Sequence, residues 1–264
     1  MKSIKLGDFS ELAKGYINRP SYDIKLIEKI MAHINRSMPN IFVADVGAGT
    51  GKLTKVLAEM GCENIYAVEP NDEMRNEGKE YTKNLRGEVI KWLKGSGETT
   101  NLPGHCVDLV VMASSFHWTD PSRSLPEFSR ILKNDGHLSI MWNTRDVGSS
   151  ELHSEIEDLI YEIAPNIKRG SSGNSRYTKN WEEVLISTGH FKDVKAIETS
   201  YVERMSKERY INVWRTVNDI QAQAGPEKFA KILSKIEEKI SSLEAIDVPY
   251  KMRSWTVKKI KETA

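Results

Sequence analysis

The sequence predicts an α/β fold built on a parallel sheet, and three observations predict it. An apolar run, Ile41 to Val46, meets the glycine-rich turn Gly47-Ala48-Gly49-Thr50-Gly51, and Lys52 to Met60 then repeats apolar residues at helical spacing. A second apolar run, Asn64 to Val68, ends at Glu69. A third, Val107 to Ala113, is almost continuously apolar, as suits a strand covered on both faces. Strand, tight turn, helix and strand in this order open a βαβ unit. In such sheets ligands gather outside the carboxyl ends of the central strands.

Each element has its own local reason. Phe9 to Ile34 reads as two helical pieces. Pro20 disfavours helix at Arg19, and Ser21 is the expected cap of the second piece, with Ile24, Ile27, Ile30, Met31 and Ile34 inward. Asn71 caps a helix running to Asn84, and Val89 to Leu93 is a short strand. Asp120-Pro121 begins another helix, where Pro126 is expected to delay the true start. Gly136 to Trp142 is the next strand. Leu152 to Ile163 is an amphipathic helix, and Pro165 to Lys179 is the most loop-like stretch. Asn180 caps a helix that Gly189 ends, and Phe191 to Val202 is a strand. Tyr210 to Ile220 and Phe229 to Leu243 are two helices broken at Gly225-Pro226, before a last strand from Val248 to Ile260.

Composition narrows the function. The 264 residues suffice for one α/β domain with a modest insertion. With 38 basic and 37 acidic side chains, the net charge of +1 lacks the basic excess of a nucleic-acid-binding domain. Two cysteines make no disulfide framework, and no Cys/His cluster has zinc spacing, so no metal is expected. No run has the length of a signal peptide or a membrane span. The expectation is a cytoplasmic protein, monomer or homodimer, with a small molecule rather than nucleic acid or membrane as partner.

The glycine spacing is informative. A dinucleotide fingerprint needs a third glycine where Lys52 stands. The pattern is instead D-x-G-x-G-x-G from Asp45 to Gly51, followed by Val-Glu-Pro at 68–70. With the Gly97-Glu98 loop, Phe116-His117-Trp118 after the fourth strand and the late helical stretch, the chain resembles the class I methyltransferases, in the group that includes the trans-aconitate methyltransferase-like enzymes. The resemblance covers most of the chain and is looser after Arg145. It implies a Rossmann-like seven-stranded sheet with helices on both faces and a helical insertion before the last strand. It also implies S-adenosyl-L-methionine as donor, with S-adenosyl-L-homocysteine as product. Residues 1–264 would form a single domain: a cofactor-binding core at 36–145, N-terminal lid helices at 1–35 and a helical cap at 203–246.

Residue by residue, the resemblance implies cofactor contacts from Asp45, Gly47, Ala48, Gly49, Gly51, Glu69, Pro70, Gly97, Glu98, Ala113 and Ser114. Glu69 would take the ribose hydroxyls, and Asp45 would order the turn or reach the methionine amino group through water. Gly97 and Glu98 would lie beside the adenine. The string Tyr16-x-x-Arg19-Pro-x-Tyr22 resembles a segment that folds over the pocket in small-molecule methyltransferases. With Phe116, His117, Trp118, Trp142 and Trp214 it makes the expected substrate pocket, core packing being the other reading for at least one of the tryptophans. His117 is the candidate general base, with a positioning hydrogen bond or plain packing as the other readings. Arg19, Arg123, Arg145 and Arg215 are candidates to hold an anionic acceptor.

Overall fold

The computed structural model describes residues 10–85, 87–168 and 180–261. Its strands are β1 (Phe42–Val46), β2 (Asn64–Val68), β3 (Ile90–Leu93), β4 (Val107–Ala113), β5 (Leu132–Arg145), β6 (Phe191–Ser206) and β7 (Ala245–Lys259). They form one seven-stranded sheet in the order β3-β2-β1-β4-β5-β7-β6. β3, β2, β1, β4 and β5 are mutually parallel. The chain leaves β1 towards β2 and β3, then returns to β4 on the other side of β1. That reversal opens a crevice between the carboxyl ends of β1 and β4. The helices follow the same logic. Right-handed crossovers running in opposite directions place their helices on opposite faces. α2 (Lys52–Glu59) lies beside α3 (Asp72–Thr82), and α4 (Pro121–Ile131) lies beside α6 (Trp181–Ile186).

Chain contacts define two compact units. One comprises Ser21–Asn143, Ser172–Thr199 and Met252–Ala264. Its core joins Ala44, Val46, Val110, Met112, Leu125, Phe128, Ile140, Trp142 and Trp181. Burying one side chain the size of Phe128 contributes about 1.5–3 kcal/mol. The other unit comprises Met1–Pro20, Thr144–Ser171 and Ser200–Lys251. Its core gathers Ile156 and Ile160 of α5 (Glu151–Ile163), Tyr210 and Trp214 of α7 (Lys207–Trp214), and Ile232 and Ile236 of α8 (Asn218–Lys239). No helix among the described residues is long and apolar enough to cross a membrane.

Several boundaries differ from the sequence reading. α1 (Ile24–Ile34) is capped by Asp23, not Ser21: its carboxylate accepts from Lys25 N. Leu26 joins the buried face, and Ile24 is exposed. The piece before it, Ser10–Asn18, is a 3-10 helix. Pro126 does not delay α4, which begins at Pro121. The missing N–H orphans only the carbonyl one turn back, at exposed Ser122, where water can serve it. β5 starts at Leu132 directly from α4, four residues earlier than expected. The span 210–220 is not one helix. α7 ends at Trp214, Thr216 Oγ1 bonds back to Val213 O at 2.7 Å, and Val217 is extended before α8. α8 itself breaks at Gly225, whose φ is 76°, as Gly225-Pro226 predicts. Residues 169–179 of the loop-like stretch lie outside the described residues.

One close contact in α3 sits beneath the glycine turn. Trp92 of β3 packs against Gly78 and Gly51 and donates through Nε1 to Thr82 Oγ1 at 3.2 Å. A Cβ on Gly78 would overlap the Trp92 ring. Gly78→Ala is therefore expected to destabilise by about 1–3 kcal/mol. Overpacking outweighs the gain of about 1 kcal/mol in helix propensity. Denaturant unfolding would measure it, and an unchanged or raised midpoint would show that the ring yields freely.

Candidate functional site

The turn after β1 is bound to the end of β2. Gly47 N and Ala48 N both donate to Val68 O, at 2.8 and 3.1 Å, and Gly51 N donates to Ala48 O at 2.9 Å. Gly47, Gly49 and Gly51 all have positive φ, a conformation that costs glycine little. Glu69 closes the turn from the side. Its Oε2 accepts from Gly49 N at 2.8 Å and its Oε1 from Asn71 N at 2.9 Å. Burial pushes its pKa up, against those two N–H donors and the charge of Arg75. Each carboxylate oxygen keeps lone-pair capacity for one more donor.

Asp45 lies behind the turn and is 1% exposed. Its Oδ2 accepts from Thr54 Oγ1 at 2.6 Å. Its Oδ1 is buried and has no hydrogen-bond partner among the described residues. Burial raises its pKa to about 7, opposed by the Thr54 hydroxyl and reinforced by the charge of Glu69. A buried carboxylate oxygen with no donor is costly, and it suits a cationic or N–H-bearing group.

The loop after β4 borders this turn. Ser115 Oγ donates to Val46 O at 3.1 Å, and a Cβ on Gly47 would fall on the Ser115 side chain. Ser114 takes a φ of 54°, and its N–H donates to Met141 O at 2.8 Å. Phe116–Trp118 is one 3-10 turn. Phe116 is buried edge-on to Trp181, while Trp118 is 50% exposed and tilted over the His117 ring at 4.8 Å. Trp142 stacks on Trp181 at 4.6 Å, and its Nε1 lies 3.2 Å from His117 Nδ1. An indole N–H can only donate, so Nδ1 is the acceptor and the neutral imidazole carries its proton on Nε2. Burial lowers the His117 pKa to about 4, so the ring is neutral at pH 7. His117 thus presents an N–H donor rather than a free lone pair at Nε2.

A family model described as a methyltransferase domain matches residues 44–140, from β1 into β5. The turn, both carboxylates and the His117 corner all fall inside that match. Over residues 44–140 the chain is similar to methyltransferase domains. An uncharacterized methyltransferase of Mycobacterium tuberculosis is 38% identical over 130 residues, 48% of this chain and 48% of that protein. An uncharacterized methyltransferase-like protein of Schizosaccharomyces pombe is 32% identical over 178 residues, 65% of this chain and 61% of its own. The matched regions thus span about half to three fifths of these curated relatives. Among solved structures, the phosphoethanolamine N-methyltransferase 2 of Haemonchus contortus in complex with S-adenosyl-L-methionine shares the fold. Its TM-score is 0.54 at 16% identity, covering 96% of this chain and 57% of that one. The seven-stranded, Rossmann-like class I methyltransferase fold is the one observed.

Other candidate residues of this unit have surroundings that the sequence did not show. Gly97 is buried where a Cβ would meet Thr119 Cγ2. Glu98 Oε1 accepts from Asp120 N at 2.8 Å, at the start of α4. Ala48 is buried, Ala113 half-buried, and Pro70 exposed as the chain leaves β2. Tyr22 is half-buried ahead of α1. Thr54 and Trp181 were not singled out as site residues from the sequence, whereas Asn71 was read only as the cap of α3, which it is. A polar, β-branched Thr54 on the apolar stripe of α2 was the available signal for the first.

In the helical unit, Arg19 stacks on Tyr16 at 4.9 Å and donates to Thr216 Oγ1 and O, both at 2.7 Å. Arg215 bonds to Asn212 and Glu237. Trp214 is fully buried in that unit's core beneath Arg145. Arg123 is exposed in the first turn of α4.

Proposed function

We propose that this chain is an S-adenosyl-L-methionine-dependent methyltransferase acting on a small molecule. The observation that carries the reading is the pair of buried carboxylates at the glycine turn. Asp45 has an oxygen without a donor, and Glu69 is held by two main-chain N–H groups with capacity to spare. These residues fit a nucleoside bearing a positive charge. When bound, the cofactor supplies a methyl group on a sulfonium, which an acceptor lone pair takes as the carbon–sulfur bond breaks and the sulfur becomes neutral.

The chain's own part is to bind, orient and exclude water. Glu69 accepts from the ribose hydroxyls, and Asp45 either takes the ammonium group or orders the turn for it. The turn glycines let main-chain N–H groups approach the ligand. Trp118 supplies an exposed apolar wall. His117 donates its Nε2 proton to an oxygen or nitrogen of the acceptor and so orients it. Rate comes mainly from alignment, with reacting atoms about 3–3.5 Å apart. A near-neutral net charge supports a small acceptor over a nucleic acid.

Glu69→Ala tests the cofactor assignment. Calorimetry with S-adenosyl-L-homocysteine should show affinity lowered at least about tenfold, the range for losing a hydrogen bond to a charged group. Unchanged affinity would remove Glu69 from the site, and no saturable binding to the wild-type chain would overturn the function itself.

A further inference from the structure

We propose that Arg145, Tyr210 and His153 form a binding site for an anionic group, a carboxylate or a phosphate, within the helical unit. Arg145 is the last residue of β5. Its guanidinium carbon lies 4.1 Å from the centroid of Trp214 and 5.8 Å from that of Tyr210. Trp214 and Tyr210 are both fully buried, so they form a rigid aromatic floor beneath the charge. The planar fork is thereby held in one orientation before anything binds.

One nitrogen of Arg145, the buried Nε, lacks an acceptor among the described residues. The other arginines of this unit among the described residues are engaged. Arg19 is held by Thr216, Arg209 by Glu203 and the carbonyl of Asn18, Arg204 by Asp247, and Arg215 by Glu237. Asp146, next in the chain, pairs instead with Lys251 at 3.5 Å. A buried charged N–H without an acceptor is unfavourable, and a ligand oxyanion would supply one.

A second group points the same way. His153 is 1% exposed and packs edge-on to Tyr210, with ring centroids 5.8 Å apart. Its Nδ1 is 2.7 Å from Ser150 Oγ, while its Nε2 is buried without a partner among the described residues. Burial holds the Tyr210 hydroxyl protonated, so it remains a donor. A guanidinium and an imidazole that both pack on the Tyr210 ring, with the phenol's own hydroxyl, offer donors suited to a planar or tetrahedral oxyanion.

The test follows the arginine directly. In protein labelled with 15N-arginine, sodium acetate and inorganic phosphate are titrated separately, and the Nε–H resonance of Arg145 is followed. Saturable movement of that resonance with at least one anion is expected, and the arm that saturates identifies the oxyanion. Arg145→Lys keeps the charge but loses the fork, and should weaken binding about tenfold, read from the shifts of neighbouring amides. Arg145→Gln should abolish it. The proposal is overturned if neither anion moves the resonance saturably, or if a folded Arg145→Gln protein binds as the wild type does. No cofactor enters the titration, so the outcome stands apart from the methyltransferase reading.

Discussion

Asp45→Asn should raise the thermal midpoint of the ligand-free protein and weaken S-adenosyl-L-methionine binding about a hundredfold. Both effects come from one buried carboxylate. The folded chain raises the Asp45 pKa from 3.8 to about 7, chiefly through burial. Between those two values the native state keeps a proton that the unfolded chain has released. Stability therefore falls as pH rises through that window, and the loss is complete above the folded pKa. Asparagine has no charge to bury, and its carbonyl can still accept from Thr54 Oγ1. The variant should match the wild type near pH 4 and exceed it by about 1–3 kcal/mol at pH 8. That gain corresponds to several degrees in a domain of this size. Binding responds in the opposite sense. The wild-type affinity should rise as Asp45 ionises through neutral pH, while the variant stays weak and flat. A hundredfold loss is about 2.7 kcal/mol, within the cost of removing one partner from a buried charged pair. Scanning fluorimetry and calorimetry at several pH values would measure both. A variant that melts lower and binds as before would reduce Asp45 to a partner for Thr54.

The parts legible from sequence were those whose signal is local. β1, β2 and β4 are short apolar runs bounded by turn residues, and strands buried on both faces must look that way. The glycine turn and Glu69 were legible because backbone conformation and chain order alone bring them together. The misread boundaries were those that non-local contacts decide. Ser21 and Asp23 are both acceptable caps, and only the structure shows which carbonyl and N–H groups need one. The apolar spacing from Tyr210 to Ile220 runs across a break of three residues without losing phase, so periodicity could not reveal it. The tryptophans teach the same lesson. Trp118, Trp142 and Trp214 look equivalent in sequence, yet one is exposed, one is a hydrogen-bond donor to His117 and one is sealed in a core. Nothing within a few residues of His117 announces Trp142, because 25 residues separate them. The tautomer was therefore beyond the reach of any local pattern.

Substitution at that pair should separate donor from base. If His117 works through its Nε2 proton, His117→Gln, whose amide can also donate, should keep more activity than His117→Ala. We expect turnover to fall about a hundredfold in the alanine variant and about tenfold in the glutamine variant, within the usual range for one positioned proton-bearing group. A general base with a pKa of about 4 would be a poor acceptor of protons at neutral pH. The wild-type rate should consequently show no rising limb between pH 5 and pH 7 that His117→Gln removes. Trp142 acts through His117 and needs a readout of its own. Trp142→Phe keeps an aromatic ring against Trp181 but deletes the N–H that occupies Nδ1. The imidazole pKa should then move up towards its ordinary value, because the neutral ring has lost the donor that favoured it. Both tautomers should become populated, visible in 15N spectra of the two ring nitrogens, and turnover should drop about as far as in His117→Gln. Donor consumption with any acid, amine, phenol or thiol that supports it supplies the rate. A wild-type ring protonated at Nδ1, or a rate that tracks a histidine ionising near pH 6.5 and vanishes in the glutamine variant, would reinstate the base and dismiss the donor.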